Sequence, residues 1–178
     1  MRTKNYLLTG LLAFMSLLIL SSCKKDSDRD TNNSFYVKAN KNGTQVNYPN
    51  VTGELGPDLG DPTLTDLVVR GQNADGSERF DIVIQVEGPL TPGTYTSGQL
   101  TPQVIFDLTV QNGTELKNFR IDDAPGMVPS SFSVTLTTVN QDVVEGTFTG
   151  NYLYNDFPNT TPEVMTLTSG EFRINPIP

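Results

Sequence analysis

The 178-residue chain contains no histidine, no tryptophan and one cysteine, and each scarcity excludes a class of function. Histidine is the commonest general base and metal ligand, so the familiar Ser–His and Cys–His catalytic pairs are excluded. The lack of tryptophan removes the strongest stacking surface for a cationic or sugar ligand. A single cysteine, Cys23, allows neither an intramolecular disulfide nor a zinc site built from several cysteines. We therefore predict a non-catalytic protein without a cofactor or a bound metal, held together by its packed core.

Positive charge is also scarce, because 12 Lys and Arg residues stand against 20 Asp and Glu residues. Arg2 and Lys4 precede Cys23 with no acidic residue beside them, so loss of that segment changes the net charge from −8 to −10. A surface of this sign repels phosphate backbones and anionic lipid headgroups. We predict no nucleic-acid partner, and any attachment to a membrane must come from a lipid group.

The amino-terminal segment has the pattern of a signal peptide. Arg2 and Lys4 are followed by a nearly continuous apolar run from Tyr6 to Leu20. This run of 15 residues is shorter than the roughly 20 that a spanning helix needs, and a polar, charged stretch follows it. Residues 1–22 are therefore expected to be removed. The alternatives are an ordinary secretory signal beside an accidental cysteine, or a buried apolar helix.

The end of this segment, Leu20-Ser21-Ser22-Cys23, resembles the lipobox of bacterial lipoproteins. The resemblance implies cleavage between Ser22 and Cys23 by the lipoprotein signal peptidase. It also implies lipid attachment at Cys23, through a diacylglyceryl group on the thiol and further acyl chains such as palmitate. One acyl chain anchors a protein only marginally, whereas several make the attachment durable. The expectation is a lipid-anchored protein of the outer membrane in the cell envelope.

Residues 23–33 are dense in charge and lack apolar side chains, which predicts a flexible tether. The string from Lys24 to Asn33 resembles charged stretches that direct lipoproteins of Bacteroidota-type bacteria to the cell exterior. Because Lys24 and Lys25 precede the acidic residues, the periplasmic and the surface-exposed leaflets both stay open. Its alternating aspartates also suggest calcium, but the turn glycine and the distal glutamate of a calcium loop are missing, which favours a solvated linker.

Short alternating runs of apolar and polar residues, separated by turn residues, predict one all-β domain over residues 34–178. Three runs place their apolar residues on one face: Phe80, Ile82, Ile84 and Val86; Val104, Phe106, Leu108 and Val110; Phe132, Val134 and Leu136. No stretch sustains a helical period, so no helix is available for a parallel crossover. We predict an antiparallel β-sandwich of about nine or ten strands, with a partly closed barrel as the alternative.

Turn residues place the connections between the strands. Asn42-Gly43 and Asn112-Gly113 each predict a hairpin with a two-residue type I′ turn, and Asn73–Ser77 predicts a longer turn. Glycine and proline predict long loops at Gly53–Pro62 and at Asp122–Ser131. Further strands are predicted at Gly93–Thr96, Val143–Tyr152, Val164–Thr168 and Gly170–Ile174.

Three short segments carry a wider resemblance: Pro92-Gly93-Thr94-Tyr95, Val144-Glu145-Gly146-Thr147-Phe148-Thr149-Gly150 and Ser169-Gly170-Glu171-Phe172. Together they are similar to the small β-rich lipoproteins of uncharacterised function found in Bacteroidota-type bacteria. The resemblance implies an antiparallel sandwich and an envelope location, and it transfers no catalytic residues. From the residues alone, these segments are strand ends with Phe148 and Phe172 in the core and glycines at bulges or turns.

A pair of carboxylates is the first choice of chemistry for an enzyme without histidine, as in a carboxylate-dependent glycan-processing enzyme. Asp58, Asp61 and Asp66 lie in or near a glycine-rich loop and could converge on calcium or on a substrate. A calcium-stabilised glycan-binding protein is therefore a further alternative. Solvated loop carboxylates are the simpler interpretation.

Two other polar pairs have ordinary explanations. Asp122-Asp123 precedes Pro125 and Gly126 and is explained by a turn with an Asx hydrogen bond. Ser130-Ser131 has no base near it in sequence, and a Ser–Lys pair would need a distant lysine such as Lys117.

An aromatic cluster at Tyr152, Tyr154 and Phe157 is the candidate glycan-stacking site. Alternation places Tyr152 and Tyr154 on one face, where two exposed rings could stack on sugars. The favoured interpretation is that they are core aromatics at the end of a long strand. The partners predicted are the membrane, through the amino-terminal lipid, and a glycan or an envelope protein bound by a non-catalytic interaction module.

Overall fold

The computed structural model describes residues 35–120, 131–154 and 163–177, and these form eleven β-strands and no helix. The strands are β1 Tyr36–Lys41, β2 Thr44–Tyr48, β3 Asn50–Pro57, β4 Leu64–Gln72, β5 Glu78–Glu87, β6 Gly93–Thr96, β7 Gln103–Asn112, β8 Glu115–Arg120, β9 Ser131–Val139, β10 Val144–Tyr154 and β11 Glu163–Ile174. All of the described residues belong to the unit Ser34–Pro178. None of them lies in a helix long and apolar enough to cross a membrane.

The strands form two antiparallel sheets that are not closed into a barrel, which confirms the predicted sandwich. The six-stranded sheet has the order β2-β1-β11-β10-β9-β6, and the five-stranded sheet has the order β8-β7-β5-β4-β3. One paired position, Leu153 with Arg120, joins the sheets between β10 and β8. On the other side, a parallel bridge connects Glu54 of β3 to Ile177, three residues after β11 ends.

The predicted alternation sets the core. In β5 the inward side chains from Phe80 to Val86 are buried, while the residues between them are half-buried on the outer face. The same alternation buries Val104, Phe106 and Leu108 in β7. The two inner faces therefore meet as one apolar layer, as expected for a sandwich.

Aromatic rings from both sheets form the centre of this layer. Phe106 stacks on Tyr152 with ring centroids 4.0 Å apart, and Phe80 lies 5.0 Å from Phe106. Phe80 also contacts Phe148 at 5.2 Å and so connects the five-stranded to the six-stranded sheet. Such ring pairs stabilise a core beyond the area that they bury.

The Asn42-Gly43 hairpin between β1 and β2 is confirmed, with φ values of 49° and 81° that suit a type I′ turn. The hairpin between β7 and β8 is also confirmed, but its predicted turn is displaced by one residue. Asn112 belongs to β7 and pairs with Glu115, so Gly113 and Thr114 form the loop. Gly113 with φ of 62° supplies the positive φ at the first turn position.

Two strand predictions were wrong. The predicted loop Gly53–Pro62 is strand β3 up to Pro57, because β3 pairs with β4 along its whole length and Gly53 lies against the side chain of Ile174. The two strands predicted at Val164–Thr168 and Gly170–Ile174 are one strand, β11. Ser169 with φ of 50° forms a bulge within β11, where the pairing with β10 shifts register. The predicted loop Asp122–Ser131 lies outside the described residues except for Ser131, which begins β9.

Candidate functional site

The predicted lipid-attachment site, Ser22 and Cys23, lies outside the described residues, as does the tether. The structure describes the chain from Phe35, whose side chain is 40% exposed. Strand β1 follows at once and is held on both sides, by β2 and by β11. The domain thus begins with a strand that is fixed within its sheet.

The predicted glycan-stacking cluster does not present Tyr152 to solvent. Tyr152 is 0% exposed, and its ring packs between Phe106 and Phe132 in the core. The stacking prediction is therefore wrong for Tyr152, and the core interpretation is confirmed, because its alternation places it on the inner face of β10. Tyr154 ends β10 without a described side chain, and Phe157 lies outside the described residues.

A buried ionic network, which the sequence analysis missed, joins the two sheets. Glu78 at the start of β5 is 7% exposed and is the one buried charged residue among those described. Its carboxylate accepts hydrogen bonds from the Tyr48 hydroxyl and from the Lys41 ammonium group. Burial and the neighbouring Glu78 raise the pKa of Tyr48 far above its usual range, so Tyr48 stays a hydrogen-bond donor. The sequence carries no local signal for this network, because Tyr48 and Lys41 lie 30 and 37 residues from Glu78.

The acidic loop at residues 58–63 is stabilised by hydrogen bonds from its backbone N–H groups to its own carboxylates. Asp58 Oδ1 accepts the N–H groups of Gly60 and Asp61 at 2.8 and 2.7 Å. Asp61 Oδ1 accepts the N–H and the hydroxyl of Thr63 at 3.0 and 2.6 Å, and these bonds lower the pKa of Asp61. These oxygens act as turn acceptors, as is typical of Asx turns.

Asp66 lies beside this loop and has a different environment. Burial raises the pKa of Asp66, the neighbouring Asp58 raises it further, and a hydrogen bond from Gln85 lowers it. Its Oδ1 is buried and has no hydrogen-bond partner among the described residues. Asp58 and Asp66 thus form a close carboxyl pair, but no group of three or more Asp, Glu, His or Cys residues that could hold a metal occurs in the described ranges.

The other polar residues considered in the sequence analysis either make different contacts or lie outside the described residues. Lys117 forms an ion pair with Glu163 at 3.1 Å. Ser131 is exposed at the start of β9, and Ser130 and the Asp122-Asp123 pair lie outside the described residues. The Lys117–Glu163 ion pair gives no support to a Ser–Lys pair, which the sequence analysis did not favour either.

An open groove on the outer side of β3 and β4 is lined in part by Arg70 and Arg79. Asp81 pairs with both guanidinium groups, at 3.4 Å for Arg70 and 2.9 Å for Arg79, and Glu54 also pairs with Arg70. Because carboxylates already neutralise the arginines, the groove offers little net attraction for an anionic ligand.

The outer face of β6, β9 and β10 carries an array of hydroxyl groups, bordered by the carboxylates of Glu145 on β10 and Glu171 on β11. Cross-strand pairing aligns Thr94 with Thr135 and Thr147 in one row. A second row holds Thr96, Ser133 and Thr149. We call these six residues the hydroxyl face. The sequence signal was available in three repeats of hydroxyl, apolar and hydroxyl residues, Thr94-Tyr95-Thr96, Ser133-Val134-Thr135 and Thr147-Phe148-Thr149.

Comparison with known proteins finds no match: no family model, no curated protein and no solved structure is similar to this chain.

Proposed function

We propose that this chain is a lipid-anchored protein of the bacterial outer membrane, in which a β-sandwich acts as a non-catalytic binding module. The observation that carries the proposal is the lipobox pattern Leu20-Ser21-Ser22-Cys23. The only cysteine of the chain stands where this pattern needs a thiol, directly after a 15-residue apolar run. Lipid modification at Cys23 then replaces the signal segment as the membrane attachment.

The mature chain supports a lipid anchor in preference to electrostatic adhesion. With a net charge of about −10 after the signal segment, its surface repels anionic headgroups. The charged residues that follow Cys23 suit a solvated linker that holds the domain away from the bilayer.

The proposed non-catalytic role is supported by the contacts that the buried side chains make. The space between the sheets is filled by aliphatic and aromatic side chains, and the buried carboxylate of Glu78 is occupied by Tyr48 and Lys41. The hydroxyl face is the surface that we propose for binding a glycan or an envelope protein. Its β-branched threonines have restricted rotamers, so they lose little side-chain entropy when a ligand binds.

The anchor is tested by expressing the full chain in a bacterium that processes lipoproteins and measuring the intact mass of membrane-extracted protein. A mass that begins at Cys23 and includes acyl chains is expected, and the Cys23→Ala variant should lack it. An unmodified and soluble wild-type product would contradict the lipoprotein proposal and leave a secreted β domain.

The binding surface is tested separately with the detergent-extracted protein on a panel of immobilised polysaccharides. The Thr135→Arg variant places a bulky charge in the hydroxyl face and is expected to lose binding. The control is Thr114→Arg, since Thr114 is exposed in the β7–β8 turn of the other sheet. Absence of wild-type binding, or equal binding by both variants, would contradict the glycan role of this face.

A further inference from the structure

Two leucine residues are almost completely exposed to solvent. Leu59, in the loop between β3 and β4, has a relative exposure of 105%, and Leu100, between β6 and β7, has 94%. Single exposed apolar residues are common on protein surfaces, but full exposure of two leucines at loop positions is unfavourable in water.

Both loops flank the same end of the five-stranded sheet. The loop with Leu59 joins Pro57 to Leu64, and Leu64 pairs with Glu87 at the end of β5. Gln85, near that end, pairs with Gln103, which lies three residues after Leu100. Gln85 Nε2 also lies 3.5 Å from Asp58 Oδ2, the residue before Leu59. The two leucines therefore project from connections on either side of the end of β5.

The first described strand, β1, runs away from this end of the domain. Tyr36 pairs antiparallel with Arg173, so β1 begins where β11 finishes. Beyond β11 the chain runs parallel to β3 at the bridge between Ile177 and Glu54. Strand β1 therefore runs in the direction opposite to β3, so its amino-terminal end faces the side toward which β3 runs. Strand β3 leads directly into the loop that carries Leu59.

The length of the tether keeps the domain close to its lipid. Eleven residues separate Cys23 from Phe35, and a chain of this length spans at most about 40 Å when fully extended. Its root-mean-square span as a flexible coil is only about 20 Å. A tethered domain meets the membrane at a high effective concentration, so even weak insertion of a loop is populated.

We infer that Leu59 and Leu100 insert into the interface of the membrane that holds the Cys23 lipid, so that this end of the sandwich faces the bilayer. The inference rests on the proposed lipid anchor. The chemistry specifies zwitterionic lipid, since Asp61 and Glu87 are exposed at the same end and are repelled by anionic headgroups. In this orientation the ends of the strands face the bilayer, and both outer sheet faces stay accessible to partners.

The absence of tryptophan allows a direct test, because one introduced tryptophan is the only such fluorophore in the protein. Leu59→Trp and Leu100→Trp, in the lipidated full chain, are reconstituted into phosphatidylcholine vesicles with brominated acyl chains. The matched control is Leu116→Trp, since Leu116 is 58% exposed beside the β7–β8 turn at the opposite end of the same sheet. Unfolding curves of the three variants verify that each is folded.

A blue shift and quenching of the tryptophans at positions 59 and 100, with an unshifted and unquenched tryptophan at position 116, are expected. Phosphatidylglycerol added to the vesicles should reduce both effects. Vesicle flotation separates this inference from the proposed anchor. Protein that floats while all three tryptophans stay unshifted keeps the anchor and overturns the inference, as does equal quenching at all three positions. Protein that does not float contradicts both.

Discussion

The ring of Phe148 lies directly against Gly170 on the neighbouring strand, where a Cβ atom on Gly170 would stand 2.6 Å from the ring carbon Cγ. The arrangement is reciprocal. Gly146, the partner of Phe172 in the same ladder, leaves room for that ring, and a Cβ there would stand 2.8 Å from Phe172 Cζ. Gly146 and Gly170 thus serve packing, because each accommodates an aromatic ring from the next strand.

Gly170→Ala is expected to destabilise the protein by about 1–3 kcal/mol, because the added methyl group overpacks the core against Phe148. The control is Gly93→Ala in β6, where a Cβ would meet only ordinary contact with Tyr95 Cε2 at 3.9 Å. Urea unfolding measures both variants. Gly93→Ala should match the wild type or exceed it slightly, and equal stability of the two variants would contradict the close packing at Gly170.

Two buried tyrosines are expected to respond oppositely to removal of the hydroxyl group. Tyr48→Phe should cost about 1–3 kcal/mol, because it leaves an oxygen of the buried Glu78 carboxylate without a donor. Tyr152→Phe should leave stability unchanged or raise it, because the Tyr152 hydroxyl is buried without a partner among the described residues. Thermal and urea unfolding of both variants test the contrast. A loss at Tyr152 equal to that at Tyr48 would show that its hydroxyl is paired.

The partly buried ion pair between Lys41 and Glu78 should couple more strongly than a surface pair. A double-mutant cycle of Lys41→Met and Glu78→Gln is expected to give a coupling energy of about 1–3 kcal/mol. The control cycle is Lys38→Met and Glu171→Gln, whose pair at 3.0 Å has both side chains more than a third exposed. Such surface pairs couple by about 0–1 kcal/mol and weaken with salt. Equal coupling energies in the two cycles would contradict a structural role for Glu78.

The contribution of Asp66 to the free energy of unfolding should decrease as the pH rises. Burial and Asp58 raise the pKa of Asp66 in the folded state above its value in the unfolded chain, so the folded state binds the proton more tightly. Its contribution to the free energy of unfolding therefore falls between the unfolded pKa, about 3.9, and the raised folded pKa. Asp66→Asn is expected to be more stable than the wild type at pH 7, and the difference should shrink at pH 3.

Asp61→Ala is the control, because Asp61 should affect the free energy of unfolding with the opposite sign to Asp66. The pKa of Asp61 is lowered by its bonds to Thr63, so its contribution is present above the unfolded pKa and is lost as the pH falls through the folded pKa. This variant should be less stable than the wild type at pH 7 and approach it at low pH. Urea unfolding at both pH values measures the two differences, and a pH-independent difference for Asp66→Asn would contradict the raised pKa.

The sequence by itself determined the features that depend on local pattern. Alternation from Phe80 to Val86 specified a half-buried strand, because side chains in a strand point to opposite faces in turn. Asn42-Gly43 specified a hairpin, because both residues tolerate positive φ. The lipobox prediction at Cys23 also belongs to the sequence alone, since it depends only on the identity of the residues around the cysteine.

Only the tertiary structure decided which side chains meet across the sandwich. Gly53 and Pro57 suggested a loop, but pairing with β4 and the close approach of Ile174 make this segment a strand. The network of Lys41, Tyr48 and Glu78 and the proximity of the loops at Leu59 and Leu100 likewise depend on long-range pairing of strands. Side-chain alternation assigns faces within a strand, whereas the order of strands in a sheet is set by contacts between residues far apart in sequence.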